Sequence, residues 1–174
     1  MNKRLIKAIF LQLKKHFRHK YYVYHYGRKF NVNRFQLLVH DISKFLPSEL
    51  IPYAKFFYMK EESNDHEYLL SYSKHTKRNK HHWEYWICLK DDFPNGIVLE
   101  IPDKYIREMV SDWLAATRVY TGYEPDSLEN WVWFKDKFDK IRLHTDTREK
   151  ILFLLNNYFN QKKWILYKDL SFII

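Results

Sequence analysis

The chain has 174 residues, of which 46% are hydrophobic and 19% aromatic, so it can bury one ordinary core and is too short for us to expect two domains. Only 3 glycines and 5 prolines are present, which disfavours an all-β fold with its many turns. The formal net charge of +9 fits either attraction to nucleic acid and other anions or a lysine-rich surface that only aids solubility.

No stretch approaches 18 consecutive apolar residues, so we expect no transmembrane helix. The single cysteine, Cys88, cannot form an internal disulfide, which suits a reducing compartment. Lys7 interrupts the apolar run after the basic start, and no small-residue cleavage site follows. The sequence therefore predicts a cytoplasmic protein without a signal peptide.

The first predicted element is a long amphipathic helix. Apolar residues recur at helical spacing over 4–17, and a second stripe, rotated from the first, begins at His19 and includes Tyr22 and Tyr26. We expect a helix that turns a new face inward at His19 and ends near Gly27. A basic amphipathic helix can lie on a membrane surface, but packing in a core is the commoner fate of such a stripe.

The second predicted helix covers residues 33–42 and carries the sequence HDISKF, residues 40–45, at its C-terminal end. Pro47 is expected to stop this helix, and Ser48 with Glu49 can cap a short third helix.

The later elements continue the helical pattern. In chain order we predict a solvated link at 61–66, a helix at 67–79, a loop at 91–96, a helix opened by Pro102 and Asp103 and terminated by Gly122, helices at 126–142 and 145–160, and a strand or irregular tail at 164–174. These elements predict an all-α fold, a single helical bundle over residues 1–174.

Histidine is unusually frequent, with 9 residues in the chain, and several stand where a metal site needs them. His40 and Asp41 directly follow an apolar run, and Asp112 lies between Val110 and Trp113, so both carboxylates are expected to be buried and to need a compensating cation. Divalent metals bind neutral imidazole and carboxylate, and helices of a bundle can present both inward. The candidate metal ligands are His19, His40, Asp41, His75, His81, His82 and Asp112.

The segment HDISK resembles the His-Asp signature of the HD superfamily of metal-dependent phosphohydrolases, with Ser43 at the small position before Lys44. Those proteins are helical, and their ligands follow the order His, His-Asp, further histidines in binuclear members, and a last Asp. The candidate ligands of this chain have the same order. The resemblance implies an HD-type bundle with a metal-site core at about residues 19–120 and one or two divalent ions, with Mn, Fe, Mg, Zn and Ni not distinguished.

The chain is more closely similar to an uncharacterised family of small bacterial and phage proteins. The similar segments are HKYYV at 19–23, HDISKF at 40–45, HTKRNKHHWEYW at 75–86, IPDKYIREMVSDW at 101–113 and, more loosely, LHTDTREKI at 143–151. This resemblance spans about residues 19–151 and implies no activity by itself.

Several positions have an alternative interpretation. Periodicity alone makes His16 a rival to His19, and the HKYYV resemblance favours His19. One of His81 and His82 can serve outside the first coordination sphere. Asp112 can instead pair with an arginine, Arg107 or Arg118. We interpret the remaining polar candidates as structural, solvated or salt-bridged: His25, His66 (a reserve ligand), His144, Glu84 and Glu108.

These residues predict metal-dependent hydrolysis of a nucleotide or another small phosphoester. Asp41 and Lys44 are the candidate catalytic residues; Lys44 would offset charge on the phosphoryl oxygens or, alternatively, pair with Asp41. The cluster of Trp83, Tyr85 and Trp86 can stack a base, although large aromatics mostly build cores. The alternatives are an HD-type di-iron oxygenase and a non-catalytic nucleotide- or protein-binding module in which metal only stabilises the fold.

Overall fold

The computed structural model describes residues 2–170, with the side chains of Glu62 and of residues 163–170 excepted. Its α-helices and strands are α1 (Lys3–Lys29), α2 (Arg34–Val39), α3 (Pro47–Tyr58), α4 (Asp65–Arg78), β1 (Ile87–Lys90), β2 (Phe93–Val98), α5 (Asp103–Thr121), α6 (Val132–Lys137) and α7 (Thr145–Leu170). Short 3₁₀ helices cover Ile42–Phe45, Lys60–Glu62, Trp83–Trp86 and Phe138–Lys140.

The protein is mostly helical, as predicted, but the expectation of an all-α fold is wrong in one place. Strands β1 and β2 form a two-stranded antiparallel sheet in which Ile87 pairs with Val98 and Cys88 with Ile97. The predicted loop at 91–96 therefore shrinks to a tight turn, because the apolar runs on both sides of it pair with each other. Gly96 has φ +76°, and a Cβ there would press on Ile87.

Helix α1 is a single long helix, as predicted, and it ends at Lys29 just beyond Gly27. Its inward stripe is continuous and runs from Ala8 through Gln12, His16 and His19 to Val23 and Tyr26. The predicted apolar stripe at 4–17 is only partly inward, since Phe10 and Phe17 are 66% and 63% exposed. Polar side chains replace them because this face of α1 packs against α5 and α3, where the buried polar site lies.

The HDISKF segment does not continue helix α2. His40 follows the helix with non-helical backbone angles, φ −50° and ψ 129°, and Asp41 has φ 54°, in the left-handed region. Pro47 begins α3 rather than ending α2, which is a favourable position for proline because the first helical N–H needs no partner. The predicted capping by Ser48 and Glu49 is wrong: Leu46 precedes the helix without a side-chain cap, and Glu49 is fully buried.

Helix α4 begins at Asp65, capped by Asn64, so it takes up the end of the predicted link. Helix α5 is confirmed, and Gly122 ends it with φ 80°. The helix predicted at 126–142 is confined to α6 and the 3₁₀ turn after it. The strand or tail predicted at 164–174 is wrong for 164–170, because α7 continues to Leu170, and its last four residues lie outside the described residues.

The main hydrophobic core lies where α1, α5 and α7 meet, and it is built on Val23, Tyr26, Met109, Leu114 and Leu155. Trp131 is fully buried and its indole N–H donates to Thr117 Oγ1 over 2.8 Å, which satisfies the one polar group of that ring. Within residues 2–170 no helix combines the length and apolar character needed to cross a membrane.

Candidate metal centre

All of the predicted metal ligands converge on one buried region, although they come from five separate parts of the chain. His19 lies on the inward face of α1, His40 and Asp41 follow α2, His75 lies in the last turn of α4, His81 and His82 stand between α4 and the next 3₁₀ turn, and Asp112 lies on α5. The packing of α1 against α5 and of α3 against α4 brings these segments together.

Asp41 occupies the middle of this region and is 2% exposed. Its Oδ1 lies 3.2 Å from His75 Nε2 and 3.3 Å from His81 Nε2. Its Oδ2 lies 3.4 Å from His40 Nε2 and 3.8 Å from His19 Nε2. The backbone of Asp41 is left-handed, with φ 54°, and its two oxygens face two different pairs of histidines.

The first ligand group consists of His19, His40, Asp41 and Asp112, each of which offers one ligand atom within 4.8 Å of the others. Asp112 Oδ1 lies 2.8 Å from His19 Nε2 and 3.4 Å from His40 Nε2. Asp112 therefore faces histidines and does not pair with Arg107 or Arg118 in the structure. Arg107 instead donates to the carbonyl of Phe30.

The second ligand group consists of Asp41, His75, His81 and His82, again with one ligand atom each within 4.8 Å. The Nε2 atoms of His75 and His82 are 2.9 Å apart. Both His81 and His82 thus have a nitrogen in the site. Asp41 belongs to both groups, with one oxygen near the histidines of each.

Several ligand atoms in this region are buried without a hydrogen-bond partner among the described residues. They are Nε2 of His19, whose 2.8 Å contact with Asp112 Oδ1 lacks the alignment of a hydrogen bond, Nε2 of His40, Nε2 of His81 and Oδ1 of Asp41. Leaving such atoms unsatisfied costs roughly 1–3 kcal/mol each. A divalent cation is a partner that satisfies imidazole nitrogens and carboxylate oxygens together, and this donor set suits first-row transition metals. The residues present therefore fit a metal.

Glu108 on α5 belongs to neither of these two groups but forms a third set with His40 and His81, whose ligand atoms also lie within 4.8 Å of one another, and it contacts the Nδ1 side of both rings. Its Oε1 is 2.8 Å from His40 Nδ1 and 3.4 Å from His81 Nδ1, and Gln36 donates to its Oε2. Burial would raise the pKa of Glu108, but the two histidines hold it at about 2. Since the carboxylate is ionised it can only accept, so His40 carries a proton on Nδ1, and Nε2 is the nitrogen that would bind a metal once its own proton is displaced.

Glu49 performs the same function for His75. Its Oε2 lies 3.0 Å from His75 Nδ1 and accepts a hydrogen bond from Ser43, while Arg78 donates to Oε1 over 2.9 Å. Burial would raise the pKa of Glu49, but His75, Ser43 and Arg78 together lower it. The sequence placed Glu49 at a helix cap and Glu108 in a salt bridge; only their contacts with distant histidines reveal these positioning roles.

The charges in the region stabilise one another. Burial would lower the pKa of His40, but the carboxylates of Asp41, Asp112 and Glu108 raise it well above its usual value. Burial would likewise raise the pKa of Asp112, and its contacts with His19 and His40 lower it well below. Burial lowers the pKa of His82 well below its usual value, which favours the neutral ring that a metal requires.

Lys44 pairs with Asp41: its ammonium group lies within hydrogen-bond distance of Oδ2. Burial would lower the pKa of Lys44, but Asp41 and Asp112 raise it, so the lysine stays charged. Lys44 also lines a cavity of about 360 Å³, together with Asp112, His75 and His82. Lys44 therefore forms the ion pair with Asp41 and also lies in the cavity next to the candidate metal ligands.

The remaining predicted alternatives lie elsewhere. His16 is in none of the ligand groups; the amide of Gln12 donates to its Nε2 over 3.1 Å, and burial lowers its pKa to about 3. His25 and His66 are exposed, and His144 is partly exposed. In the aromatic cluster, Trp83 lines the cavity, whereas Trp86 packs against Tyr105.

A family model matches residues 10–157, and the chain belongs to that family, DUF5662, a family of unknown function. This result agrees with the resemblance to an uncharacterised family; it does not extend to the HD superfamily. Among curated proteins and among solved structures, none matches the chain at a significant level.

Proposed function

We propose that this protein is a metal-dependent phosphohydrolase that acts on a nucleotide or another small phosphoester. The observation that carries the proposal is the position of Asp41 between two histidine-rich ligand groups, beside a cavity that also contains the charged side chain of Lys44. Two cations a few ångströms apart next to a basic side chain are a common arrangement for phosphoryl transfer to water.

In this proposal the first ligand group, with His19, His40 and Asp112, holds one divalent ion, and the second, with His75, His81 and His82, holds another. Asp41 contributes one oxygen to each. When bound, such ions supply a water of lowered pKa and polarise a phosphoryl oxygen.

The protein's own groups then have distinct tasks. Lys44 offsets negative charge that develops on the phosphoryl oxygens, which it can do because it stays protonated beside Asp41. Glu108 and Glu49 keep the imidazole protons on Nδ1, so the ligand nitrogens face the cations. The order of the ligands along the chain supports placing this activity with the HD-type phosphohydrolases.

A di-iron oxygenase is the second candidate, and the observation that favours it is the large number of imidazoles around one bridging carboxylate, because imidazole suits iron well. A module that binds nucleotide or protein and keeps metal only for stability is the third. Iron content with a visible charge-transfer band would support the second, and ligand binding without turnover would support the third.

The test begins with elemental analysis of the purified protein, followed by assays of phosphomonoesters and nucleotides with Mn, Mg, Zn, Fe and Ni. We expect stoichiometric metal and hydrolysis that is lost on chelation. His40→Ala should remove both metal and activity, whereas His144→Ala, a histidine outside the ligand groups, should retain both. Absence of bound metal in the wild-type protein, or full activity in a correctly folded His40→Ala variant, would overturn the proposal.

A further inference from the structure

The excess positive charge of the chain is concentrated in its first part. Residues 1–40 contain 10 of the 30 Lys and Arg residues and none of the 21 Asp and Glu residues. Eight of those 10 basic side chains are exposed, and the other two, Lys15 and Lys20, are half-buried. Residues 41–174 are nearly balanced, with 20 Lys and Arg residues against 21 Asp and Glu residues. The net charge of the protein therefore belongs to the surface that α1 and α2 form.

The same surface exposes large apolar side chains. On α1 an exposed stripe recurs at helical spacing, apart from the inward face, and consists of Ile6, Phe10, Phe17, Tyr21 and Tyr24. On α2, Phe35 and Leu38 share one side of the helix and are 72% and 61% exposed. Ile42 and Leu46, in and after the next 3₁₀ turn, are exposed as well.

Contacts between α1 and the HDISKF region join these side chains into one surface. The ring of Phe17 packs against that of Phe45, with centroids 5.3 Å apart. The ammonium group of Lys20 donates to the carbonyls of Leu38 and His40 over 2.9 and 2.8 Å, which holds the end of α2 beside α1. We call this surface the basic apolar face: the exposed stripe of α1, the exposed apolar side chains of residues 35–46, and the exposed Lys and Arg side chains of α1 and α2.

Basic and apolar side chains alternate closely on this face. Lys14 stands four residues after Phe10 and three before Phe17, so it lies on the same side of α1 as both rings. Lys7, two helical turns earlier, lies on that side as well. The apolar residues are therefore bordered by cations, and Glu61 approaches the basic apolar face only near its start, 4.0 Å from Arg4.

A contiguous exposed apolar surface usually marks an interaction site, and the charges on this one select among its partners. A second copy of the chain would bring the same cations against each other, which is repulsive. A nucleic acid would satisfy the cations, but its phosphate backbone offers nothing to aliphatic side chains such as Leu38 and Ile42. The partner that fits must be anionic and apolar together.

The surface of an anionic bilayer has both properties. Its headgroups attract Lys and Arg, and its acyl region takes up apolar side chains that project from a surface helix. Tyrosines such as Tyr21 and Tyr24 suit the headgroup level, because their rings are apolar and their hydroxyls are polar. A bilayer also adapts to side chains that come from three separate elements, whereas a protein partner would need a matching groove.

We propose that the basic apolar face docks this protein on the surface of a membrane that contains anionic lipids. The proposal does not depend on the proposed function, because the exposed side chains of this face belong to none of the ligand groups. Docking would also bring the metal centre close to the bilayer, since His40 and Asp41 stand between the exposed residues Val39 and Ile42 in the chain.

The test is flotation of the purified protein with lipid vesicles. One set of vesicles contains phosphatidylcholine alone, and the other contains phosphatidylcholine and phosphatidylglycerol in equal amounts. We expect binding to the anionic vesicles to be stronger by about tenfold or more, and to weaken as salt is added, because ions screen the headgroup charge. Absence of binding to the anionic vesicles, or equal binding to both sets, overturns the proposal.

Two double variants separate the apolar and the basic contributions. Phe10→Ser with Phe35→Ser should weaken binding to the anionic vesicles by about tenfold or more, because two apolar side chains no longer enter the acyl region. Its matched control is Leu69→Ser with Phe153→Ser, a change to two equally exposed apolar residues on α4 and α7, which should bind as the wild type does.

Lys7→Glu with Lys14→Glu should weaken the same binding by about tenfold or more, because two cations become anions. Lys135→Glu with Lys137→Glu, on α6, changes the net charge equally and is the control. Circular dichroism checks that each variant folds. Binding that is unchanged in either test variant, or lost equally in its control, overturns the proposal.

Two further measurements identify another occupant if the vesicles do not bind. Light scattering would assign the face to a second copy if the wild-type protein self-associates and Phe10→Ser with Phe35→Ser does not. Binding of a single-stranded oligonucleotide that is lost in Lys7→Glu with Lys14→Glu would assign it to nucleic acid. Either result without vesicle binding overturns the proposal.

Discussion

Oε1 of Glu108 lies 2.8 Å from Nδ1 of His40 and 3.4 Å from Nδ1 of His81, so one carboxylate orients a histidine from each of the two ligand groups. Glu49 by contrast contacts one candidate ligand among the described residues, His75 of the second group, besides Ser43 and Arg78. Glu108 and Glu49, the two outer carboxylates, therefore differ in how many ligand groups they contact, and this difference can be measured.

Glu108→Gln should weaken binding at both ligand groups, by on the order of 10- to 100-fold, because a neutral amide with one acceptor oxygen replaces the charged carboxylate that holds a proton on Nδ1 of His40 and His81. Glu49→Gln should weaken only the second group. Competition titrations with a chromophoric chelator resolve the two stoichiometric steps, and Glu149→Gln, a change to an exposed carboxylate on α7, serves as the control. Equal effects of both variants on both steps would contradict the assignment.

Asp41 and Asp112 offer a second comparison, because Asp41 belongs to both ligand groups and Asp112 only to the first. Asp41→Asn should abolish binding of both ions, whereas Asp112→Asn should leave one. Elemental analysis after dialysis against a limiting chelator measures the stoichiometry, and circular dichroism checks the fold. Retention of both ions in Asp41→Asn would show that this carboxylate does not bridge.

His16 should make the metal-free protein less stable in acid. Burial lowers its pKa in the folded state to about 3, from 6.5 in an unperturbed ring. The unfolded chain therefore binds a proton that the folded chain refuses, so stability is unaffected above the unfolded pKa and falls as the pH drops below it. The slope from this one residue is about 1.4 kcal/mol per pH unit.

His16→Gln removes that titration while keeping an acceptor for Gln12. Urea unfolding of both metal-free proteins between about pH 6.5 and about pH 5 should show a shallower loss of stability in the variant. Comparison of the two slopes cancels the contribution of the other histidines. Parallel slopes would mean that His16 is protonated in the folded state.

Gly27 should resist substitution because of its contact with α2. A Cβ at this position would overlap the side chain of Leu37, which is 1% exposed. Alanine normally stabilises a helix interior by about 1 kcal/mol relative to glycine. Here we expect Gly27→Ala to destabilise the protein by about 1–3 kcal/mol instead, through overpacking.

Thermal unfolding of Gly27→Ala, Leu37→Ala and the double variant completes a mutant cycle. The double variant should be more stable than the sum of the single changes implies, because removing the leucine side chain makes room for the new methyl group. If the two changes in stability simply add, the cost of Gly27→Ala does not come from a clash with Leu37.

The candidate ligands were predictable from the sequence because imidazole and carboxylate are the chemistry of a metal site wherever they stand. His40 and Asp41 after an apolar run, and Asp112 between Val110 and Trp113, carry a local sign of buried charge. The long helix α1 and the ends of α5 were predictable for a similar reason, since apolar periodicity and a terminal glycine act over a few residues.

The tertiary structure alone decided the rest. The amphipathic pattern of 4–17 predicted that Phe10 and Phe17 are buried. In the structure Gln12 and His16 are buried instead, because α1 packs against α3 and α5 with that face. The pairing of β1 with β2 replaced a predicted loop in the same way.

The outer carboxylates show the physical reason most clearly. Nothing near Glu49 or Glu108 in the chain indicates a histidine partner, because His75 is 26 residues from Glu49 and His40 is 68 residues from Glu108. Whether a residue offers an imidazole or a carboxylate to a metal depends on its own side chain, so the sequence alone determines it. The hydrogen-bond partners of that side chain, the charges near it and the cavity that it lines depend on distant segments. Only folding brings these segments into contact.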